Sequence, residues 1–390
     1  MRVLNVNATL DPVSGGGTTE RTFQLSRYMA RAGTECAVLT LDGGLAPERM
    51  EALAGARVFA LPLLWGRYYV PKVSLASLEK VRVAVEGSDV VHLMNHWTFL
   101  NAVVYLLARR LGKPYVVCPA GALPIYGRSR HLKAVYNRLV GYGIIRNAAG
   151  HVAITADEIP HFEAYGIKAG RVSVIPNGID PSDYRAKDDA GFRQRYGLGG
   201  APFILFVGRL NHIKGPDLLL KAFIRAKDKL PGHLLVFAGL DEGMLPELQK
   251  DVAGSGISDR VRFVGYLGDE EKSRAYHAAD LLVVPSRQEA MSIVALEAGI
   301  CGTPVLLTDR CGFDEIGSAG GGRVVSASVE GLRAGLVELL EDPAGLTRMG
   351  ENLRRLAQDR YTWNSAIEEY LKLYEHILGL RAQRGRSAGT

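Results

Sequence analysis

Two glutamates stand eight positions apart in Pro285–Ser286–Arg287–Gln288–Glu289–Ala290–Met291–Ser292–Ile293–Val294–Ala295–Leu296–Glu297–Ala298. Glu289 follows the apolar run Leu281–Val284, which reads as a buried strand, and Glu297 lies inside an apolar helix. A carboxylate among Val294, Leu296, Ala298 and Ile300 is costly to bury unless strong hydrogen bonds reach it. A ribose diol would supply two such bonds; donors from the protein itself are the alternative. Ahead of the helix, the main-chain amides of Ala290, Met291, Ser292 and Ile293 suit phosphate or sugar oxygens. Further upstream, strand Phe203–Val207 runs into Gly208–Arg209–Leu210–Asn211–His212–Ile213–Lys214–Gly215. Arg209 and Lys214 at a strand's carboxyl end suit a diphosphate that gains charge as it departs, or they are surface cations. A third candidate is Ser14–Gly15–Gly16–Gly17–Thr18–Thr19, between the first strand and the first helix. Glycines there let the backbone approach a phosphate. The spacing is not GxGxxG, and no acidic residue ends the second strand as a nicotinamide-dinucleotide site requires.

These groups need a frame that brings strand ends together, and the periodicity supplies one. The first half alternates strands (Arg2–Val6, Glu35–Thr40, Asp89–Leu93, Pro114–Cys118, His151–Thr155) with helices at Glu20–Arg31, Asn101–Leu111 and His131–Arg146. Near Pro176–Asn177–Gly178 the pattern breaks into a polar stretch from Asp180 to Gly200. It then restarts with strands Phe203–Val207, Leu234–Ala238, Val261–Val264, Leu281–Val284 and Pro304–Thr308. Helices at Pro216–Lys229, Glu270–Ala279 and Ile293–Cys301 fall between them. The prediction is two doubly wound, Rossmann-like α/β domains, 1–178 and 179–363, facing across a cleft. A last amphipathic helix, within 364–390, is expected to pack back on the first domain.

A length of 390 residues fits two domains, and 47% hydrophobic with 23% charged residues excludes a disordered chain. Cys36, Cys118, Cys301 and Cys311 show neither CxxC spacing nor a neighbouring His pair, against a zinc site or disulfide framework. No apolar run reaches the roughly 20 residues that cross a bilayer, so a cytoplasmic protein, or one peripheral on the inner face of the cell membrane, is expected. The net charge of +6 is uneven: no acidic residue occurs between Asp89 and Asp157. Arg109, Arg110, Lys113, Arg128, Arg130, Lys133, Arg138 and Arg146 all lie in that interval. Either residues 109–146 face an anionic partner, such as a membrane surface or a phosphate-bearing acceptor, or they form a solvated basic face. No reading module for nucleic acid accompanies them. The aromatics Trp65, Tyr68, Tyr69, Trp97, Tyr126 and Tyr136 either floor an acceptor site or pack in the core.

The order of motifs resembles the retaining family-four (group 1) glycosyltransferases of GT-B architecture, over nearly the whole chain. The Gly loop, Asp89–Val90–Val91–His92 with Trp97, Pro176–Asn177–Gly178–Ile179–Asp180, and Gly208–Arg209–Leu210 with Lys214–Gly215 carry it. So do Ala279–Asp280 before Pro285–Ser286, Glu289 with Glu297, Gly302–Thr303–Pro304 and Tyr361–Thr362–Trp363. The paired glutamates within that order are the specific part. The resemblance implies a nucleotide diphosphate sugar as co-substrate and neither metal nor other cofactor. It places the diphosphate on Arg209 and Lys214, the ribose on Glu297 and the transferred sugar on Glu289. Gly16 and Gly17 would approach its phosphate side, and the base would rest by Gly265–Tyr266.

Two departures stand out. Relatives often carry a second His where this chain has Met94, with His96 shifted along, and a Pro-His-Gly turn where it has Pro119–Ala120–Gly121. The change fits a donor lacking a 6-hydroxyl, cover of the gap by His92 or His96, or weakened catalysis. His92, His96, Trp97, Ala120 and Gly121 thus form the expected acceptor or sugar pocket, with His92 structural or on its wall. The expected activity is retaining transfer of a hexosyl or deoxyhexosyl group to a lipid-linked or cell-surface saccharide. Two other readings stay open: a nucleotide-sugar epimerase, or a sugar-nucleotide-binding subunit with little catalysis.

Overall fold

Unbroken apolar runs such as Leu281–Val284 and Leu234–Ala238 become strands buried on both faces, as parallel sheets covered by helices require. The computed structural model describes residues 1–11, 15–65, 70–125 and 129–387. Ser14, Tyr68, Tyr69, Tyr126 and Arg128 lie outside the described residues. The chain divides into two compact units, Met1–Gly178 with Trp363–Thr390, and Ile179–Thr362.

Unit 1 opens with β1 (Arg2–Val6), α1 (Gly16–Arg31), β2 (Glu35–Leu41), α2 (Pro47–Ala52) and β3 (Ala56–Leu61). A hairpin, β4 (Leu63–Trp65) and β5 (Val70–Pro71), leads to α3 (Leu75–Glu86), β6 (Val90–Met94), α4 (Phe99–Arg110) and β7 (Tyr115–Cys118). Then come α5 (Arg130–Tyr136), a π-helical turn at Asn137–Gly141, α6 (Tyr142–Arg146), β8 (Gly150–Ala153), α7 (Ile159–Glu163) and β9 (Val172–Val174). Seven strands make one parallel sheet in the order β3-β2-β1-β6-β7-β8-β9. Leu4, Val6, Leu39, Val91, Leu93 and Val117 form its core with residues of the covering helices.

Unit 2 holds α8 (Asp189–Arg195), β10 (Phe203–Val207), α9 (Pro216–Ala226), β11 (Leu234–Ala238), α10 (Leu245–Ala253), β12 (Val261–Gly265) and α11 (Asp269–Ala278). It continues through β13 (Leu281–Val284), α12 (Ile293–Cys301), β14 (Val305–Thr308), α13 (Glu315–Ser318), β15 (Gly322–Val325), α14 (Val329–Leu340) and α15 (Pro343–Arg360). Its parallel sheet runs β12-β11-β10-β13-β14-β15, with Phe206 opposite Phe237 and Leu205 opposite Leu282. The final helix, α16 (Trp363–Ser387), packs on α1 and belongs to unit 1.

Several elements differ from the sequence-based expectation. Helix α1 begins at Gly16 rather than Glu20, so Gly16 and Gly17 are its first turn and not a free loop. Gly15 permits this, since a Cβ there would sit 2.1 Å from Thr19 Oγ1 and 2.6 Å from the Asp11 carbonyl. The helix expected across His131–Arg146 is interrupted by the π turn, where buried Asn137 turns inward and donates to the Tyr165 hydroxyl. The polar stretch after Asp180 folds into a 3-10 turn, Pro181–Tyr184, and α8. Strands β3, β4, β5, β9 and β15 were not anticipated.

Candidate active site

In a parallel sheet the loops leaving adjacent strands at their carboxyl ends lie side by side. Strands β10 and β13 are neighbours, so loop 208–215 meets loop 285–292. Arg287 N–H donates to the Ile213 carbonyl at 2.8 Å, and its guanidinium grips Asp217 through two bonds of 2.8 and 2.6 Å. Burial would raise the Asp217 carboxyl, but the bonds and charge of Arg287 hold it below the usual carboxylate range. The loop after β14 closes the other side: Glu289 N–H donates to the Arg310 carbonyl at 2.8 Å, and Ser292 N–H to that of Cys311 at 3.0 Å. Two glycines allow this close assembly. Gly215 has φ +70° and room for no Cβ, which would fall 2.2 Å from the Pro285 carbonyl oxygen. Gly312 has φ +59°, with the Ala290 carbonyl oxygen 1.9 Å from such a Cβ.

On this frame Lys214 Nζ lies 2.7 Å from Glu289 Oε1, and the Ser286 hydroxyl donates to the same oxygen at 2.5 Å. The side chains are 27% and 8% exposed, so the ammonium is the more accessible partner. Arg209 is elsewhere on the same edge. It pairs with Glu242 of the loop after β11 at 2.8 Å, both side chains exposed, while Asn211 donates to the other Glu242 oxygen at 2.6 Å. Gly265 ends β12 with φ +75°, and its carbonyl accepts from Gly239 N–H at 2.8 Å; Tyr266 beside it is exposed. Met291 is buried, and the Ser292 hydroxyl caps α12 by accepting from Ala295 N–H. No acidic residue occupies the first turn of α12, so the dipole at its N-terminus is unopposed there.

Glu297 is 4% exposed and its carboxylate is met by the protein. Oε1 accepts from the Tyr184 hydroxyl at 2.7 Å and Lys272 Nζ at 2.8 Å, and Oε2 accepts from the Tyr276 hydroxyl at 2.6 Å. These donors fill the need that the sequence reading assigned to a ribose diol. The side chain ties α12 to α11 and to the turn at Pro181–Tyr184. Its bonds are therefore separate from the Lys214–Glu289 pair. Tyr184, Lys272 and Glu242 were missed, for they lie in segments with no distinctive spacing.

In unit 1, Gly16 has φ +65° at the start of α1, and no atom of the described residues would lie within 4 Å of a Cβ there. Of the two histidines expected at the pocket, His92 takes the structural alternative, and His96 is likewise interior in this structure. His92 is 0% exposed, its Nδ1 2.8 Å from the Tyr374 hydroxyl and its ring 5.2 Å from that of Tyr370. Burial, with the nearby Arg21 charge, pushes it down to about 3, so it is neutral. His96 is also 0% exposed, 3.1 Å from Asn137 Oδ1, and burial lowers it to about 4. Both are interior groups of this unit, held inside by packing with α16 and with the π turn. Trp97 is half-buried and donates to the Ala122 carbonyl, with Lys133 Nζ 5.5 Å above its ring. Ala120 has φ +49° and Gly121 φ +83°; left-handed backbone at a non-glycine residue is strained and clusters at functional sites. Asn95, after β6, has φ +65° as well.

Sequence reasoning also missed a buried polar group beneath these turns. Arg21, 1% exposed, donates to Asn177 Oδ1 at 2.6 Å, the Ile175 carbonyl at 2.7 Å and the Tyr370 hydroxyl at 2.7 Å. Glu158 is 3% exposed; burial pushes its carboxyl up to about 7 while Arg21 and the Gly121 and Ile154 amides pull it down. The only available signal was Asn177, inside a motif already singled out.

The sequence matches the glycosyl transferase 4-like domain over residues 16–178 and glycosyl transferases group 1 over residues 189–356. A D-inositol 3-phosphate glycosyltransferase of Nocardia farcinica is 35% identical over 63% of this chain, and the match spans 58% of the relative's own length. The D-inositol 3-phosphate glycosyltransferase of Frankia alni is 33% identical over 74% of each chain. Among solved structures, HepE of Anabaena in complex with UDP superposes with a TM-score of 0.79 at 19% identity, covering 96% of this chain and 100% of that one. The likeness in that case is one of fold: two parallel-sheet α/β domains, the GT-B architecture.

Proposed function

The chain belongs to the group 1 glycosyltransferases, and we propose that it moves a hexosyl or deoxyhexosyl group from a nucleoside diphosphate sugar to an acceptor hydroxyl with retained configuration. Unit 2 holds the donor and unit 1 the acceptor. One observation carries this reading: the Lys214–Glu289 pair spanning the loops after β10 and β13, at 2.7 Å. A cation paired with a carboxylate in this way is ready for exchange. On donor binding Lys214 turns to the diphosphate, and the released Oε1 of Glu289 accepts from a hydroxyl of the sugar. The α12 N-terminus and Lys214 then offset charge on the departing diphosphate, and Arg209 joins them by leaving Glu242. No metal is required for that charge balance. Gly265 and Tyr266 border the base, and Gly16 and Gly17 the sugar phosphate side. Glu297 acts by fixing α12 rather than by direct contact.

The acceptor is a polyol or lipid-linked saccharide, a reading supported by the cationic interval around residues 109–146 and by the inositol phosphate in the relatives' names. The test is Glu289→Ala, assayed for both nucleotide binding and transfer. Transfer should fall by about 10²–10³ while nucleoside diphosphate affinity stays within a small factor. Equal loss of both overturns the assigned role, and conversion of the donor without any acceptor identifies an epimerase instead.

A further inference from the structure

Helix α5, the π turn and α6 present an apolar stripe on the side that faces away from the core. Leu132, Val135, Leu139 and Tyr142 are 63%, 53%, 80% and 40% exposed. Their spacing of three, four and three places them on one face of a helix. The opposite face is the packed one, where Asn137, Gly141, Ile144 and Ile145 are buried. The segment is therefore apolar on both sides, and its inner contacts do not explain the outer stripe. Arg130, Arg138 and Arg146 are exposed on the same segment.

The neighbouring helices extend this surface. The crossovers β3 to β6, β6 to β7 and β7 to β8 all run the same way along the sheet order. Right-handed connections then put α3, α4, α5 and α6 in one layer, and α1 on the opposite face of the sheet. The Tyr136 hydroxyl donates to the Thr98 carbonyl at 3.1 Å, and Asn147 to the Tyr105 hydroxyl at 3.1 Å, which tie α4 to the α5–α6 segment. In this layer Leu75 of α3 is 88% exposed and Leu106 of α4 is 60% exposed, with Arg109 and Arg110 exposed at the end of α4. Exposed large apolar groups scattered singly are ordinary; the four aligned on one face of the α5–α6 segment mark an interaction surface.

We propose that this face docks on a bilayer containing anionic lipid, with the stripe at the level of the acyl boundary and the arginines among the headgroups. Charge decides between occupants. On the α4 to α6 stretch no acidic residue lies between Asp89 and Asp157, so a second copy laid stripe to stripe would oppose cation to cation; the exposed Glu79 and Glu86 of the neighbouring α3 are both paired with Arg82. A nucleic acid would match the cations but leave the leucines in water. No described helix is long and apolar enough to cross a membrane, so the association is interfacial. The proposal shares its cationic interval with the acceptor reading above, but its vesicle readout involves no turnover, so the two fail separately.

The full chain is sedimented with vesicles of phosphatidylcholine alone and of phosphatidylcholine with one-third phosphatidylglycerol. Binding should be at least about tenfold tighter to the anionic vesicles and should weaken as salt rises. The pair Leu132→Glu and Leu139→Glu should lose about tenfold in vesicle affinity with an unchanged Tm. Arg130→Gln with Arg138→Gln should weaken binding and flatten its salt dependence. If the glutamates lower Tm, Leu139→Ser, at a side chain already in water, carries the same measurement. Equal binding to both vesicle types overturns the proposal, as does full binding by the leucine variants. A concentration-dependent dimer that the leucine variants disperse would assign the face to a second copy instead.

Discussion

Two carboxylates of similar sequence setting occupy different environments. Glu289 has one oxygen shared by Lys214 and Ser286, at the accessible carboxyl edge of the sheet. Glu297 is surrounded by Tyr184, Lys272 and Tyr276. Removing it takes this acceptor from the partly buried Lys272 ammonium, the Tyr184 hydroxyl and the buried Tyr276 hydroxyl. Glu297→Ala should therefore lower stability by about 1–3 kcal/mol, measured by denaturant unfolding, whereas Glu289→Ala should change it less. Glu158 gives a pH signature. Its folded carboxyl titrates near 7 against an ordinary 4.5. Above the unfolded value the unfolded chain loses this proton first, so the group's contribution falls as pH rises from about 4.5 to about 7 and is level beyond. Glu158→Gln should accordingly gain in Tm relative to the parent across that window; a difference independent of pH would contradict the burial described. At this scale the sequence displayed Lys214, Glu289 and Glu297 because they fall in recognisable order along the chain. It concealed their partners. Tyr184 stands 113 positions from Glu297, and Tyr370 stands 349 from Arg21. Nothing local marks such pairings.

At the scale of elements, the loops after β10, β13 and β14 meet closely at the carboxyl edge of unit 2 because Gly215 and Gly312 have no side chain. Gly312→Ala places a methyl within 1.9 Å of the Ala290 carbonyl oxygen and demands a left-handed alanine. The α12 N-terminus must then shift, and nucleoside diphosphate affinity should fall by about tenfold or more as the amides leave their positions. Titration calorimetry measures it. An unchanged affinity would show that loop 309–314 does not set the site. Strands β1, β10, β11 and β13 were legible from apolar runs bounded by turn residues, and α12 from its apolar helix. The start of α1 was not, since glycines argue for a loop until Gly15 is seen packed on Thr19. The π turn was hidden because its cause is Asn137 turning inward to meet His96 and Tyr165, a tertiary event. The sequence left His92 open between a structural and a pocket-wall role, and His96 at the pocket, for the same reason: a histidine looks alike whether a ligand covers it or, as here, Tyr374 of α16 and Asn137 do.

For the whole molecule, the alternation of strands and helices, broken near residue 178, was enough to indicate two α/β units. What it did not convey is how far the final helix enters unit 1. Tyr370 and Tyr374 are fully buried, one bonded to Arg21 and the other to His92. Ending the chain at Thr362 would expose that layer. Such a chain should lose the cooperative unfolding of unit 1, seen as a missing transition by calorimetry; retention of both transitions would contradict the role given to α16.

The most direct test of donor binding is the affinity of Lys214→Ala for UDP, GDP and ADP, set beside that of the unaltered chain. One charge-assisted contact to phosphate contributes about 1.5–3 kcal/mol, so the preferred nucleotide should bind roughly ten- to a hundredfold more weakly. Unchanged affinity for all three would place the diphosphate away from the Lys214–Glu289 pair, and the account of the site would be wrong.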